Sequence, residues 1–434
     1  MKGTLVQKRV MPLAATVTLV LAVLTTTSCA PESAAPDKLK VGLFAEYTGA
    51  VAGQAAPGVD GCLDYLKYVN DEENGVNGIP IEATWSDVGY SLPKAISAYQ
   101  RFKEEGIVLG FTWSSPANEG LRPTWEKDSM PIISNAVSVP ALYPPGPIFV
   151  DRVDYTSMFG GFVDWVVDEH WPGTHPEASA PPKLATHPEA SAPPKLAIVT
   201  WDNPFGRGPL AGIPYAESRG VGVVTTEFIP FMPTDTSIEL RRCADAGADY
   251  IFSNVVAAPF SVLLKDAYRL GLSTAGGGDI TLGVGFQAGI EELLPLAQEP
   301  AEGALVTRAV AGWYETELPG VKHAHDVNEK YREGESATAT YLWGWALARI
   351  ATEALTIATD EVGSAAIGSA DVLQAVQQIE GLDMGGVIPP VTYSASERRA
   401  SMAVRMVQIA GGEPELVSDW LTCPDLLQEA AEDM

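Results

Sequence analysis

The sequence predicts an α/β protein in which parallel sheets are connected by crossover helices. Two observations support this fold class: short apolar, β-branched segments alternate with segments of helical spacing, and most of the helical segments are ten or more residues long. Helices of that length between strands give parallel sheets that carry helices on both faces. Ligands bind at the carboxyl ends of the strands in such sheets, so the loops that follow strands are where function is expected.

Each predicted strand is a short apolar run, and each predicted helix places apolar residues three or four positions apart, as Val59, Leu63 and Leu66 do in the first helix. The strands are predicted at Val41–Phe44, Ile79–Trp85, Ile107–Phe111, Pro131–Ser134, Leu196–Trp201, Gly222–Phe228, Tyr250–Asn254, Gly276–Ile280, Val391–Tyr393 and Ala403–Ala410. The helices are predicted at Gly58–Asn70, Leu92–Glu105, Ala117–Lys127, Ser157–His170, Ile213–Arg219, Ser237–Ala246, Phe260–Leu270 and Ala337–Ala358.

The first 38 residues are typical of an export signal followed by a tether. A basic start runs into the apolar stretch Met11–Leu24, which is short for a membrane span, and small residues then precede Cys29. This order predicts a lipoprotein signal peptide at residues 1–28, lipidation of Cys29 and a Pro/Ala-rich tether at residues 29–38. An ordinary secretory signal with a structural cysteine nearby is the alternative.

The composition limits the classes of function. The chain has 28 Lys and Arg residues against 55 Asp and Glu residues, and its net charge of −27 argues against a nucleic-acid partner. If Cys29 is lipidated, Cys62, Cys243 and Cys423 remain, and an odd number of thiols cannot pair completely. We therefore expect a globular protein with at least one free or intermolecularly paired thiol, and no disulfide scaffold.

One segment interrupts the alternation of strands and helices. Residues 174–185 and 186–197 are the same twelve residues, THPEASAPPKLA, and only the second copy continues into a predicted strand. Two copies of this length cannot stack into a core, so the repeat is interpreted as a duplicated Pro-rich insert rather than a functional repeat.

An ordered series of short segments resembles one known family. The segments include Lys40–Leu43, Tyr47–Gly49, Asn74–Glu82, Pro131–Ser134, Val139–Leu142, Trp201–Gly208 and Gly276–Asp279. Together they resemble the leucine/isoleucine/valine-binding proteins, the type I periplasmic solute-binding components of ABC importers, over residues 39 to about 410. The resemblance implies two Rossmann-like lobes with parallel sheets, joined by a three-crossing hinge, with a small molecule between them.

The resemblance also divides the chain. Lobe I is expected at residues 39–154 and 284–390, and lobe II at residues 155–283 and 391–421, with the duplicated insert at residues 174–197. A C-terminal tail follows at residues 422–434.

The first group of candidate ligand residues lies near the third and fourth predicted strands. Trp113, Ser114 and Ser115 follow a strand and precede a helix, so their hydroxyl and N–H groups can converge on an anion, although N-capping is the alternative for the two serines. In the family, a serine at this place holds the ligand carboxylate, and Ser114 matches it. The same pattern implies that the Val137 backbone and the Ser138 hydroxyl join that carboxylate.

The second group lies around the expected first crossing and on lobe II. Ser157 stands where the amino-acid binders often carry an Asp that faces the ammonium, a departure that weakens the assignment of a branched-chain amino acid. Tyr155 and Phe205 are expected to wall the pocket, Phe205 at a place where the family commonly has Tyr. Asp279 is expected to pair with an ammonium at the cleft edge, with a solvated loop as an equal alternative. Trp201 is interpreted as a core residue.

No catalytic pattern is found in the sequence. No His is placed to serve Ser114, and the pair His323 and His325 is interpreted as a solvated loop rather than a metal site, so neither a metal nor a cofactor is expected.

The sequence therefore predicts a solute-binding lipoprotein of an ABC importer, at the outer face of the cell membrane or in the periplasm. Its expected ligand is an amino acid of the branched-chain type or a related small amide, carboxylate or aromatic acid, and its expected partners are the permease subunits. A sensor module for a membrane receptor is the alternative, and an extracellular enzyme is less favoured.

Overall fold

The computed structural model describes residues 37–175, 193–362 and 367–432, together with residues 1, 3 and 4. Cys29 and most of the predicted signal peptide, tether and duplicated insert lie outside the described residues. Within these ranges, no helix combines the length and the hydropathy that a membrane span requires.

The elements follow one another in the predicted alternation of strands and helices. The strands are β1 Leu39–Ala45, β2 Ile81–Asp87, β3 Leu109–Thr112, β4 Ile132–Ser134, β5 Ile148–Val150, β6 Lys195–Trp201, β7 Gly222–Ile229, β8 Tyr250–Ser253, β9 Thr281–Val284, β10 Leu305–Arg308, β11 Ala403–Ala410, β12 Glu413–Leu416 and β13 Leu421–Thr422. The α-helices are α1 Ala52–Glu72, α2 Leu92–Glu105, α3 Ser115–Asp128, α4 Val139–Leu142, α5 Tyr155–Trp165, α6 Trp171–Thr174, α7 Ile213–Ser218, α8 Ser237–Asp245, α9 Ala257–Arg269, α10 Ile290–Ala297, α11 Pro319–Tyr331, α12 Ala339–Val362, α13 Ser369–Val376 and α14 Leu427–Glu432.

The described strands form two sheets, which define two lobes. The first sheet has the order β2-β1-β3-β4-β5 and is parallel throughout. The second has the order β12-β11-β10-β9-β8-β6-β7, in which β6 to β10 are parallel and β11 and β12 are antiparallel additions at one edge. We call the parts of the chain that belong to these sheets the first and second lobes. The predicted α/β class with parallel sheets is confirmed.

The chain passes between the two sheets three times. It leaves the first sheet after β5, returns after β10, where the Ala311 N–H donates to the Val387 carbonyl, and leaves again after Arg399, which pairs with Val150 at the edge of β5. The boundaries predicted at 283/284 and 390/391 are both too early. β10 belongs to the second sheet, and the Tyr393 hydroxyl still donates to the Val150 carbonyl of the first lobe at 3.0 Å.

Two predicted strands are wrong. Thr274–Gly276 forms a single 3₁₀ turn that ends at Gly277 with φ +86°, so the next strand, β9, begins only at Thr281. Val391 pairs with Leu382 in an isolated bridge and belongs to no strand. Three adjacent glycines favour the turn, because residues at positive φ are strained unless they are glycine.

The region of the two histidines is also different from the prediction. His323 and His325 lie on α11 rather than in a loop. The His323 ring is 4.6 Å from the ring of Tyr68 and 5.7 Å from that of Trp345, and the His325 ring stacks on Trp313 at 3.8 Å. The His323 ring therefore packs against α1 and α12, and the His325 ring packs against the loop that precedes α11.

The three cysteines of the described chain are buried and unpaired. Cys62, Cys243 and Cys423 form no disulfide, as the odd count predicts for at least one of them. Burial raises the pKa of the Cys62 and Cys423 thiols, which keeps them protonated.

Glycines bring α1 and α12 into close contact in the first lobe. A Cβ at Gly344 on α12 would overlap the carbonyl oxygen of Gly58, and a Cβ at Gly61 on α1 would overlap the carbonyl oxygen of Tyr341. The backbones of the two helices are in direct contact at these positions, because only glycine, which has no Cβ, fits there.

We expect Gly344→Ala to lower the free energy of unfolding by about 1–3 kcal/mol or more, because the added methyl group must push the two helices apart. Gly53→Ala on α1 is the matched control, since a Cβ there meets nothing within 4 Å and Ala is the better helix former by up to about 1 kcal/mol. Urea unfolding midpoints measure both variants. Equal destabilisation by the two substitutions would contradict the close contact.

Candidate functional site

A cavity lies between the two lobes, where the carboxyl ends of the strands in both sheets face each other. Residues of both lobes line it, and we call it the inner cavity. Its lining residues are Val51, Gln54, Ala55, Tyr90, Trp113, Ser115, Asn135, Tyr155, Phe205, Val256, Gln287 and Trp343.

Most of this lining comes from segments that directly follow strands. Trp113 and Ser115 follow β3, Asn135 follows β4, and Val256 and Gln287 follow β8 and β9 in the second lobe. Parallel strands end at the same edge of a sheet, so these side chains converge although they are distant in sequence.

Aromatic rings form the walls. The Tyr155 ring lies 5.0 Å from that of Phe205 and 5.9 Å from that of Phe286, distances typical of favourable aromatic pairs. Trp343 closes another side, and the guanidinium of Arg152 lies 4.9 Å from its ring centre. The inner cavity is therefore bounded by large, firmly packed apolar surfaces.

A glutamine bridges the two lobes at the inner cavity. Gln287 of the second lobe donates from Nε2 to the Asn135 carbonyl at 2.8 Å and to the Tyr155 hydroxyl at 3.3 Å. The Tyr155 N–H donates to the Val137 carbonyl at 3.2 Å. At the mouth, the ring of Tyr90 lies 6.4 Å from that of Phe231 in the second lobe.

The inner cavity is small in this closed arrangement. Its volume is about 30 Å³, and a water molecule needs roughly 10–15 Å³ of such space. A solute as large as an amino acid can enter only when the lobes separate. The three crossings and the contacts of Gln287 are the connections that such a separation has to bend or break.

Two polar groups of the lining have no hydrogen-bond partner. The indole nitrogen of Trp113 and the hydroxyl of Ser115 are both buried and unpaired. Ser115 is the first residue of α3 and is only 1% exposed. The indole nitrogen faces the backbone of α1, because a Cβ at Gly58 would lie 2.8 Å from it, and the Ser115 hydroxyl lies beside the Tyr90 and Tyr155 side chains.

Glu46, the residue after β1, contacts the backbone of Tyr90, which lines the inner cavity. Its carboxyl oxygen Oε2 accepts a hydrogen bond from the N–H of Tyr90, which has a positive φ of 60°. Burial raises the pKa of Glu46 to about 8, and the Tyr90 N–H opposes this shift only in part. The carboxyl group is therefore mostly neutral at pH 7.

The structure brings four of the predicted ligand residues to the inner cavity: Trp113, Ser115, Tyr155 and Phe205. Ser114 does not line it. The Ser114 hydroxyl accepts the Ala117 N–H at 3.3 Å, so it caps α3 and Ser115 faces the cavity instead. Val137 contributes its carbonyl to the Tyr155 N–H and does not line the inner cavity either.

Ser138 lies in a second, adjoining space of about 390 Å³, which we call the outer cavity. Glu119 of the first lobe and Asp202 and Arg207 of the second also line it. Arg207 and Asp202 form an ion pair at 2.5 Å in which both side chains are more than half exposed. The outer cavity is therefore open to solvent beside the inner cavity, and charged side chains form part of its lining.

Two predicted residues lie elsewhere. The Ser157 hydroxyl accepts the Leu426 N–H at 3.1 Å and is packed against the C-terminal segment. Asp279 is exposed in the turn before β9, because the strand predicted before it does not form. It therefore lies at the amino edge of the sheet, away from the carboxyl edge that faces the inner cavity. Trp201 is buried and donates to the Pro230 carbonyl, as expected of a core residue.

Sequence reasoning missed eight of the twelve lining residues. Gln54, Tyr90, Asn135, Val256 and Gln287 follow strands or begin helices, but nothing in their residue types marks them as ligand contacts. The strand-end rule selects Asn135 directly, because the predicted and observed fourth strands both end at Ser134, and it selects Val256 three residues after β8. Trp343 lies on the long helix α12 and follows no strand, so the strand-end rule does not select it.

Two α/β lobes that close on a buried, aromatic cavity define a protein that holds a small molecule between its lobes. The family described as periplasmic binding protein matches residues 38–413, and the chain belongs to that family. This is a family of binding proteins rather than enzymes, and the resemblance found in the sequence is confirmed. No curated protein sequence matches the chain.

Known structures share the fold at low sequence identity. A branched-chain amino acid ABC transporter protein from Thermus thermophilus with bound valine has a TM-score of 0.76 and 22% identity, with 91% of this chain and 99% of that chain covered. A fatty acid ABC transporter substrate-binding protein from Thermomonospora curvata has a TM-score of 0.75 and 20% identity, with 91% and 95% covered. A leucine-binding protein from Thermotoga maritima has a TM-score of 0.69 and 15% identity, with 89% and 99% covered.

We expect Glu46→Gln to remove part of the pH dependence of stability. Between about pH 4.5 and 8 the unfolded chain releases the Glu46 proton that the folded chain retains, so the free energy of unfolding of the wild type falls as the pH rises. The variant should lose that component, on the order of a few kcal/mol across the interval. Urea unfolding at pH 5, 6, 7 and 8 measures it.

Glu104→Gln, at an exposed glutamate of α2, is the control and should retain the wild-type slope. If Glu46→Gln and the wild type lose stability in parallel, Glu46 is ionised in the folded protein at neutral pH.

Proposed function

We propose that this protein is the extracytoplasmic solute-binding component of an ABC importer. The observation that carries the proposal is the inner cavity itself, which is built from strand-end residues of both lobes and is too small to admit a solute unless they separate. A ligand that contacts both lobes stabilises the closed arrangement, and the open and closed forms then differ in what they present to a membrane partner.

The solute belongs to a limited set of small molecules. It is an amino acid of the branched-chain type or a related small amide, carboxylate or aromatic acid. Tyr155, Phe205, Trp113 and Trp343 supply apolar walls, and the unpaired hydroxyl of Ser115 supplies a polar contact. The fold is shared with proteins described as binding valine or fatty acids, which supports a solute with an apolar body.

The permease subunits of the importer are the proposed partners, and a lipid on Cys29 is the proposed anchor. The order of a basic start, an apolar stretch, small residues and Cys29 supports export and lipidation. The Pro/Ala-rich residues 30–36 that follow would let the folded lobes reach a transporter in the same membrane.

A thermal-shift screen tests the solute set directly. Branched-chain amino acids, their amides, aromatic acids and short fatty acids are each added at millimolar concentration. A solute present at 100 times its Kd stabilises the folded protein by about 2.7 kcal/mol, so Tm should rise by a few degrees. If no member of the set raises Tm, the proposed solute set is wrong.

Phe205→Ala should weaken the binding of any solute found in the screen by about tenfold or more, because the solute loses an apolar wall. Phe228→Ala, at a partly exposed ring outside the inner cavity, serves as the matched control. Calorimetric titration below the Tm of each variant measures the two Kd values. Equal affinities for Phe205→Ala and Phe228→Ala would place the solute outside the inner cavity.

The anchor has its own test. In the native host, Cys29→Ala should shift the protein from the membrane fraction to the soluble fraction, because the lipid has no other attachment point in the predicted signal. Mass spectrometry of the N-terminus reports the modification. A wild-type protein that fractionates as soluble and carries no lipid would refute the anchor and leave the binding role intact.

A further inference from the structure

The side chain of Tyr90 occupies part of the space between the lobes. Tyr90 follows β2 and lines the inner cavity, and its side chain lies beside the hydroxyl of Ser115, which is 1% exposed at the start of α3. On the side of the second lobe, its ring meets that of Phe231 edge to face at 6.4 Å. The Tyr90 ring therefore extends from the mouth into the interior of the inner cavity.

The backbone determines where this ring points. Tyr90 has φ +60° and Gly89 before it has φ +55°, and two consecutive positive values at the centre of a turn are typical of type I′. The Ser91 N–H donates to the Val88 carbonyl at 3.1 Å and closes the turn, and the Tyr90 N–H donates to Oε2 of the buried Glu46. A side chain larger than that of Asn or Asp is uncommon at such a φ, so the turn holds the ring in an unusual direction.

The loop between β1 and α1 packs against this turn. The Asp87 carboxylate accepts the N–H groups of Tyr47 and Thr48 at 3.1 and 3.2 Å, and the Thr48 hydroxyl at 2.8 Å. A Cβ at Gly49 would lie 2.7 Å from the Gly89 carbonyl oxygen, so the two backbones are in direct contact. Because the turn is held from this side as well, the ring that it carries is a fixed part of the cavity rather than a mobile lid.

The space left beside the ring is small. About 30 Å³ remains in the inner cavity, whereas an engineered cavity that binds benzene measures roughly 150 Å³. A phenol ring is slightly larger than benzene, so the Tyr90 side chain fills more space than the closed lobes leave empty. Its removal would make room for several additional heavy atoms of a solute.

We infer that Tyr90 sets the upper size of the solute around which the two lobes can close. This inference rests on the proposed function and adds to it the residue that determines the size of the solute. A solute whose body overlaps the fixed ring keeps the lobes apart and so loses the contacts of one lobe, whereas a smaller solute is enclosed with the ring in place.

Pairs of solutes with the same polar groups and bodies of different size test this limit. L-Valine is compared with L-phenylalanine, and 3-methylbutanoate with 3-phenylpropanoate, by calorimetric titration into the wild type and into Tyr90→Gly. Glycine adopts a positive φ without strain, so the variant removes the ring and retains the turn.

We expect the wild type to bind the smaller member of a pair more tightly. In Tyr90→Gly the Kd of the larger member divided by that of the smaller should fall by about tenfold or more, because the larger body gains the space of the ring. An unchanged ratio in the folded variant overturns the inference and leaves the proposed function standing.

Two further variants separate the ring from other effects of the substitution. Ser129→Gly places a glycine at another positive φ, +49° at the end of α3, and should keep the wild-type ratio. Tyr90→Phe removes only the hydroxyl. If its ratio falls as far as that of Tyr90→Gly, the hydroxyl and not the bulk of the ring is responsible, and the inference is wrong.

4-Methylphenol provides a test that is independent of the solute. It has the heavy atoms of the tyrosine side chain, so it should fill the space vacated in Tyr90→Gly and raise the Tm of that variant by a few degrees when present well above its Kd. The wild type and Ser129→Gly should show no comparable rise. Equal shifts in the three proteins would show that the ring fills no enclosed space, which contradicts the inference. A rise confined to Tyr90→Gly supports it even if none of the four solutes binds, and the proposed solute set alone then fails.

Discussion

Arg399 holds the hinge together through one buried cation. Its guanidinium, 2% exposed, contacts the carboxylates of Asp154 at 2.8 Å, Glu397 at 2.7 Å and Asp425 at 3.0 Å. Asp154 belongs to the first crossing, Arg399 lies at the start of the third, and Asp425 belongs to the C-terminal segment. Only the pair with Asp154 is buried on both sides, since Glu397 and Asp425 are 37% and 65% exposed, and removing one partner of such a buried pair typically costs about 3–5 kcal/mol. The relative position of the crossings therefore depends on this side chain.

The same network positions the wall of the inner cavity. Asp154 also accepts the Ser157 N–H at 2.8 Å and so caps α5, whose first residue is Tyr155. The hinge concentrates formal charge, as in the pairs Arg399–Asp154 and Arg152–Asp151, whereas the lining it supports has none. Charges that determine the geometry of the closed form are thereby separated from the surface that meets the solute.

Much of the fold follows from the sequence because its determinants are local. Apolar runs and helical spacing predict most strands and helices, and the strand-end rule then leads to Trp113, Ser115 and Phe205. The remaining errors concern properties that a local pattern does not contain. Ser114 and Ser115 are adjacent and chemically identical, and only the start of α3 decides which one caps the helix and which one faces the cavity.

Asp279 and Trp343 show the two ways in which the pattern is insufficient. A strand shifted by a few residues moves Asp279 from the carboxyl edge of the sheet to the amino edge. Trp343 lies on a long helix with other aromatic residues, and whether it faces the core or the cavity depends on how the two lobes meet. Contacts between lobes join residues far apart in sequence, so they leave no periodic signal.

The duplicated insert enters the chain at the opposite end of the second sheet from the inner cavity. Its second copy leads into β6 at Lys195, and the seven residues of β6 separate that point by about 20 Å from the loop that carries Phe205. Extra residues at this edge lengthen a connection without altering the strand or the loop beyond it. A duplication in the gene at this position therefore adds residues about the length of one strand away from the part of the second lobe that lines the inner cavity.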